Sequence, residues 1–204
     1  LPYAIGVHNY QAFRANREKA PTGGMVGWTY SHQPYLAYWK GRFYLQYLSD
    51  LKQEHGPPGR TLIMTSWNGR DWSNPQVAFP KYPLSEITPE DVPERFDDYK
   101  EAIAELEGGR ILDGTYSVMH QRMGFYVAPN ARLLTLAFYS YCPTPRRGPN
   151  NGQGIGRVVR EIHKDGSMGP IYFIRYNRHA GWNEANTSYP FYKDSADAGF
   201  VEAC

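Results

Sequence analysis

Apolar and aromatic residues fill most positions between residues 35 and 48, except at Lys40-Gly41-Arg42 and at Gln46. Runs that are apolar throughout and rich in aromatic residues favour strands buried on both faces. Gly41 supplies the backbone freedom that a tight hairpin turn requires. Pro34 disfavours helical backbone at the preceding residue, so we expect Gln33 to be extended. The pattern therefore predicts an aromatic β-hairpin with polar residues at its mouth.

A second strand-turn-strand pattern follows the hairpin. Residues 61–66 read as a strand, and the pair Asn68-Gly69 behind them is a strong hairpin signal. The order Ser-x-Asn-Gly-x-x-Trp, which ends at Trp72, resembles the Asp-box turns that close the outer strands of propeller blades, with Asn68 where Asp is usual. Asn can form the same local hydrogen bonds, so we expect a structural staple rather than a catalytic site.

The strand pattern is interrupted between residues 76 and 111. Acidic and helix-entry residues at 85–94 precede a helical stretch at 95–106, which ends at Gly108-Gly109. We therefore predict a helix-containing insertion over 76–111, placed between two β units.

The opening pattern then recurs. The pair His32-Gln33 returns as His120-Gln121, again before a strand, a turn and a second strand, and Asp165-Gly166 repeats the position of Asn68-Gly69. Two units thus share one plan of four antiparallel strands, which is the blade of a β-propeller. A β-sandwich, the alternative, would need shorter and evenly spaced strands without so long an insertion.

These patterns predict an all-β fold, a β-propeller of four-stranded antiparallel blades that includes a short helical insertion. Residues 1–204 would supply two to three blades. A closed ring needs about four to eight blades, so we expect this chain to be an incomplete part of a larger ring.

Composition narrows the classes of partner. Aromatic residues make up 15% of the chain, with 17 Tyr against 9 Phe, which favours a polar cleft lined by rings that carry hydroxyl groups. The 22 basic and 20 acidic residues leave a net charge of only +2, which argues against binding to nucleic acid or to an anionic membrane. Two cysteines are too few for a zinc pattern, and we expect neither a metal nor another cofactor.

The two His-Gln pairs are the strongest candidates for chemistry. In a propeller the first strand of each blade lines the central funnel, so His32 and His120 would lie at one mouth of that funnel. A neutral imidazole can accept or donate a proton near pH 7, which suits general acid–base catalysis. The alternative is that both histidines cap blade edges through hydrogen bonds, and the sequence leaves both interpretations open.

Other candidate site residues surround these pairs. Tyr116 is a candidate proton donor or acceptor, and the substrate-binding candidates are Gln33, Tyr35, Gln121, Arg122 and Arg146. An arginine can bind a sugar carboxylate through two parallel hydrogen bonds. For Arg146, a position in a solvated surface loop is the better interpretation. Trp39 and Trp182 could stack on sugar rings, although packing between blades is the better interpretation of Trp39.

The order His-Gln-Pro-Tyr, followed at Gly41 to Tyr47 by Gly-x-Phe-Tyr-Leu-x-Tyr, looks like the first-blade signature of sugar-cleaving propellers. Five-bladed glycosidases commonly carry Asp before that proline, where this chain has Gln33. The chain resembles more closely the seven-bladed propellers of the BNR-repeat or sialidase-like type. Within these it is similar to bacterial enzymes that remove rhamnose capping glucuronic acid in arabinogalactan side chains, which implies histidine chemistry instead of a carboxylate pair.

The resemblance implies a carbohydrate-active enzyme that acts on an oligo- or polysaccharide, cleaving a rhamnose–glucuronate or similar uronate linkage by hydrolysis. Two alternatives stay open: a uronate polysaccharide lyase, and a catalytically inactive glycan-binding propeller, which Gln33 favours. A substrate of this class implies a periplasmic or extracellular protein.

Overall fold

The structure is a computed structural model that describes residues 6, 8–15, 30–50, 54, 59–82, 118–140 and 154–204. Eight strands in these ranges form two antiparallel sheets of four strands, each ordered as its strands follow along the chain. The strands are β1 (Tyr30–Trp39), β2 (Arg42–Asp50), β3 (Arg60–Ser66), β4 (Gln76–Phe79), β5 (Val118–Val127), β6 (Leu133–Ser140), β7 (Gly154–Ile162) and β8 (Tyr172–Tyr176). The predicted all-β propeller fold with four-stranded blades is confirmed. No helix in the described part is long and apolar enough to cross a membrane.

The aromatic hairpin forms as predicted, with Lys40 and Gly41 in left-handed backbone at its turn. The prediction that both strands are buried on both faces is wrong for β1. Burial alternates along β1, and Leu36 and Tyr38 are 61% and 62% exposed. The reason is that only one face of β1 packs on the second sheet, whereas the described residues leave its other face open.

Gln33 also departs from its prediction. Its φ is +48°, in the left-handed region, where an extended backbone was expected from the following proline. The pairing of β1 with β2 shifts register between His32 and Tyr35, so Gln33 lies in a bulge. A bulge re-aims the side chains beside it, and such irregularities concentrate at functional sites. β5 carries the same kind of shift between His120 and Gly124.

The turn between β3 and β4 has the Asp-box geometry. Asn68 Oδ1 accepts hydrogen bonds from the backbone N–H groups of Arg70 (2.8 Å) and Asp71 (2.9 Å), and Trp72 Nε1 donates to the Gly69 carbonyl (3.2 Å). Asn68 Nδ2 in turn donates to Asp71 Oδ2 at 2.8 Å. That last bond explains the asparagine, because a carboxylate in its place would face the carboxylate of Asp71.

We expect Asn68→Ala to lower the free energy of unfolding by about 1–2 kcal/mol, because two turn N–H groups lose their acceptor. Asn68→Asp should cost less, since it keeps the acceptor and loses only the bond to Asp71. Urea unfolding followed by Trp fluorescence measures both. The control is Asn74→Ala, at an exposed position in the same loop; equal losses for Asn68→Ala and Asn74→Ala would contradict the role of the cap.

The two sheets pack face to face through alternate residues of their strands. Trp39, Tyr44 and Leu48 of the first sheet meet Leu133 and Tyr139 of the second in one buried cluster. Two buried polar groups join across this interface: Gln46 Nε2 donates to the Leu136 carbonyl (2.9 Å), and Thr135 Oγ1 donates to Gln46 Oε1 (2.8 Å). Both partners are fully buried, so these bonds fix how the blades are positioned against each other.

The region predicted as an insertion starts with strand structure. Gln76–Phe79 is β4, the last strand of the first sheet, and Tyr82 is buried against Tyr139 with ring centroids 4.9 Å apart. Any insertion therefore begins beyond residue 82. The predicted helix at 95–106 lies outside the described residues.

A short helix, α1 (Ala198–Ala203), covers the outer face of the second sheet. Asp197 accepts a hydrogen bond from the Phe200 N–H at 3.0 Å, which caps the helix. The same carboxylate receives two bonds from Arg132, at 2.8 and 2.9 Å. Phe200 then packs with Leu134 and Val159.

Candidate functional site

Four side chains with titratable groups meet at one end of the first sheet. β1 begins there, β2 ends there and β3 begins there, because neighbouring strands are antiparallel. The register pairs Tyr30 with Asp50 and Ser49 with Arg60, and thus places Tyr30, Asp50 and Arg60 on three adjacent strands at the same level. Glu54, beyond the end of β2, completes the group.

His32 lies at the edge of this group and faces solvent. Its Nε2 is 3.6 Å from Glu54 Oε1, and its side chain is 39% exposed against 22% for Glu54. The Tyr30 ring lies beside the imidazole, with centroids 5.7 Å apart. One side of this histidine is open to solvent, and a carboxylate lies beside the other. A histidine in such a position can exchange a proton with a bound substrate.

Asp50 is fully buried, and its two carboxylate oxygens have no hydrogen-bond partner among the described residues. Burial, together with the negative charge of Glu54, raises the pKa of Asp50 to about 8, although the nearby Arg60 guanidinium acts against the rise. Asp50 is therefore mostly protonated at neutral pH. Such a buried, unsatisfied carboxyl is uncommon in folded proteins and is typical of functional sites.

The same surroundings shift the pKa values of Tyr30 and Arg60. Burial raises the pKa of Tyr30, and the charge of Glu54 and a hydrogen bond to its carboxylate add to the effect, so Tyr30 stays protonated. Arg60 is 2% exposed, and burial lowers the pKa of its guanidinium while Tyr47 and Asp50 act to raise it. The end of the sheet thus places four side chains near His32: the neutral carboxyl group of Asp50, the phenol of Tyr30, the guanidinium of Arg60, and Glu54.

Gln33 follows His32 in the bulge, and its Oε1 is buried without a hydrogen-bond partner among the described residues. An amide oxygen held in strained backbone and left unsatisfied is a candidate acceptor for a ligand hydroxyl. Tyr35, the other predicted binding residue on β1, is half-buried and packs against the core between the sheets.

The second His-Gln pair occupies the corresponding place in the second sheet. His120, Gln121 and Arg122 lie in β5, which packs against β1, and the register shift of β5 begins at His120. The positions of these three side chains lie outside the described residues, as do Tyr116 and Arg146 altogether. Their predicted roles stay predictions.

Two tryptophans proposed for sugar stacking belong to the interior. Trp39 is 6% exposed, and its Nε1 donates to the Ala131 carbonyl of the second sheet at 3.0 Å, which confirms packing between blades. Trp182 is 7% exposed in the same core cluster, so stacking of its ring on a sugar is corrected to a structural role.

Sequence reasoning missed Asp50 and Glu54 as members of the site. Asp50 ends a strand in which most of the preceding residues are aromatic or aliphatic, and that position signals a buried carboxyl. Glu54 stands in a loop and carries no such signal. The described part of the chain contains no group of three or more His, Cys, Asp or Glu side chains that could hold a metal ion.

Solved structures similar to this chain include one named "Sialidase", which is 48% identical over 98% of this chain with a TM-score of 0.84. This chain spans 17% of the length of that protein. A xylan beta-1,4-xylosidase from Bacillus Halodurans C-125 is 14% identical, with 76% of this chain and 22% of that one covered and a TM-score of 0.41. No curated protein gives a significant match.

One protein family covers the whole chain. Its description, "Beta-prop_BT_1020:-like, N-terminal beta propeller", matches residues 1–204. The two four-stranded blades and the 48% identity to the sialidase structure agree with that assignment. The chain therefore belongs to this family of sialidase-like N-terminal β-propellers.

Proposed function

We propose that this chain carries part of the active site of a carbohydrate-active enzyme, which cleaves a rhamnose–glucuronate or similar uronate linkage with His32 as the acid–base group. The observation that carries the proposal is the contact between His32 Nε2 and Glu54 Oε1, 3.6 Å apart at an exposed strand end. A carboxylate that orients a general base is the arrangement found where an imidazole transfers protons.

The sialidase similarity supports a carbohydrate substrate, since that relative is 48% identical to this chain. The neighbouring groups have separate tasks in the proposal. Glu54 Oε1 lies 3.6 Å from the imidazole Nε2 and is proposed to orient the ring. Gln33 Oε1 is available to accept a sugar hydroxyl. His120 and Arg122, on the neighbouring first strand, are proposed to contact the substrate from the second blade.

Hydrolysis is proposed in preference to elimination because of the groups that each reaction requires. A lyase would instead need a group that neutralises the substrate carboxylate at this end of the sheet. Arg60 is the arginine among the described members of the site, and it is 2% exposed.

The test is to incubate the intact protein with a gum arabic-type glycan and follow two products. We expect released rhamnose, measured by anion-exchange chromatography, without the ultraviolet absorbance of an unsaturated uronate. Absorbance without free rhamnose would replace hydrolysis by elimination. Binding of the glycan without either product, at high protein concentration, would remove the catalytic proposal.

That last outcome defines a second candidate, a glycan-binding propeller without catalysis. The observation in its favour is Gln33, which stands where related five-bladed enzymes carry a carboxylate and leaves its amide oxygen unsatisfied. Such a protein would bind the glycan equally well with His32 or with alanine at that position.

A further inference from the structure

A cavity of about 120 Å³ lies between the two sheets, at the end opposite to His32. The hairpin turns at Gly41 and Gly166 mark this end of the sheets. The first sheet contributes Arg42, Thr65 and Gln76 to the lining, and the second contributes Asp165 and Gly166. The cavity is thus mostly polar, and it is large enough for several water molecules or one side of a sugar ring.

Arg42 is the first feature that points to a ligand. Its guanidinium lies over the Trp67 ring, 3.9 Å from the centroid, and it forms no ion pair or hydrogen bond with a described residue. A guanidinium has five N–H donors in one plane, and here stacking leaves the donor edge available. The Trp67 ring is itself 67% exposed, which is unusual for so large an apolar side chain.

Asp165 supplies the complementary group across the cavity. Ser167 N–H and Ser167 Oγ both donate to Asp165 Oδ1, at 2.9 and 2.7 Å, so Oδ2 is left to accept further bonds. These bonds hold the pKa of Asp165 below its usual range, and the group is ionised at neutral pH. Its negative charge balances the positive charge of Arg42, which removes any strong preference for an ionic ligand.

Arg42 and Asp165 place a planar donor and a carboxylate acceptor around one cavity, which matches the hydroxyl groups of a sugar ring, since these both donate and accept hydrogen bonds. The Trp67 ring stacks on the Arg42 guanidinium and does not itself line the cavity. We propose that this cavity is a second saccharide-binding site, in which Arg42 and Asp165 bind hydroxyl groups of a neutral sugar unit and Trp67 keeps the Arg42 guanidinium in position by stacking on it. The site lies at the opposite end of the sheets from His32, so it holds the polysaccharide without taking part in cleavage.

The probe for this site is arabinogalactan, added to native gels of the intact protein in a His32→Ala background that prevents cleavage. We expect Trp67→Ala to weaken the apparent affinity about ten-fold, because the Arg42 guanidinium loses the ring on which it stacks. Arg42→Lys, which keeps the charge but loses the planar donor edge, should weaken it to a similar degree. The matched control is Tyr126→Ala, which removes a 47% exposed ring that belongs to the second sheet and is not the ring on which Arg42 stacks.

The proposal is overturned if arabinogalactan retards Trp67→Ala and Arg42→Lys as strongly as the parent while circular dichroism is unchanged. It is also overturned if arabinogalactan does not retard the parent protein. Trp67→Ala with an intact His32 should keep its turnover of a short, soluble glycoside. Failure of the proposed catalytic function would show as absent turnover with binding that still depends on Trp67, so the two failures are distinguishable.

Discussion

His32→Ala is expected to reduce turnover about 10²- to 10⁴-fold, the usual contribution of a general acid–base group, while glycan binding persists. The reason is geometric. His32 is the exposed member of the cluster at the start of β1, and its Nε2 lies 3.6 Å from Glu54 Oε1. Alanine removes the proton carrier, whereas the fold loses only a 39% exposed side chain. The measurement is kcat and KM for rhamnose release.

Glu54→Gln tests the contribution of the carboxylate in the His32–Glu54 pair. It keeps the size and an acceptor oxygen but removes the negative charge 3.6 Å from the imidazole, so we expect a smaller fall in kcat than for His32→Ala, with KM little changed. This is the pattern of an interaction that matters in the transition state and not in binding.

The chain offers a matched control for both variants. His163 Nδ1 lies 3.8 Å from Glu161 Oε1 and the His163 side chain is 46% exposed, so it forms a similar pair at the opposite end of the sheets. His163→Ala should leave turnover unchanged. An equal effect of His163→Ala and His32→Ala would show that the pairing is structural, and retention of most activity by His32→Ala would end the catalytic assignment.

Asp50→Asn is expected to abolish a strong pH dependence of stability. Burial, with the charge of Glu54, raises the pKa of Asp50 from 3.8 to about 8 in the folded protein. Between these two values the folded state holds the proton while the unfolded state has released it. The free energy of unfolding therefore falls as pH rises through this window, by up to about 1.4 kcal/mol per pH unit, and the decline ends above about pH 8.

Urea unfolding at several values between about pH 5 and pH 8 measures this slope. Asparagine cannot ionise, so Asp50→Asn should flatten the curve and make the variant more stable than the parent at the alkaline end. The control is Glu202→Gln, at an exposed position on α1, which should leave the slope as it is. Parallel curves for the parent and Asp50→Asn would mean that Asp50 ionises normally in the folded chain.

Local patterns predicted most of the described strands. Apolar runs, Gly41, Asn68-Gly69 and Asp165-Gly166 marked strands and turns that the structure contains, because a turn depends on the φ values and hydrogen bonds of a few consecutive residues. The same local reasoning failed at Gln33. The bulge there is imposed by the pairing of β1 with β2, which outweighs the preference of a residue before proline.

The sequence by itself determined the blade plan, the repeated His-Gln pairs and the position of His32 at the mouth of a first strand, since each of these follows from residues close together in the chain. Only the tertiary structure decided that Asp50, Glu54 and Arg60 join His32, and that Arg42 and Asp165 share a cavity. The physical reason is that the surroundings of a charged group depend on register between strands and on packing between sheets. Those surroundings, and not the residue types alone, raise the pKa of Asp50 and place the Arg42 guanidinium on the Trp67 ring at the cavity.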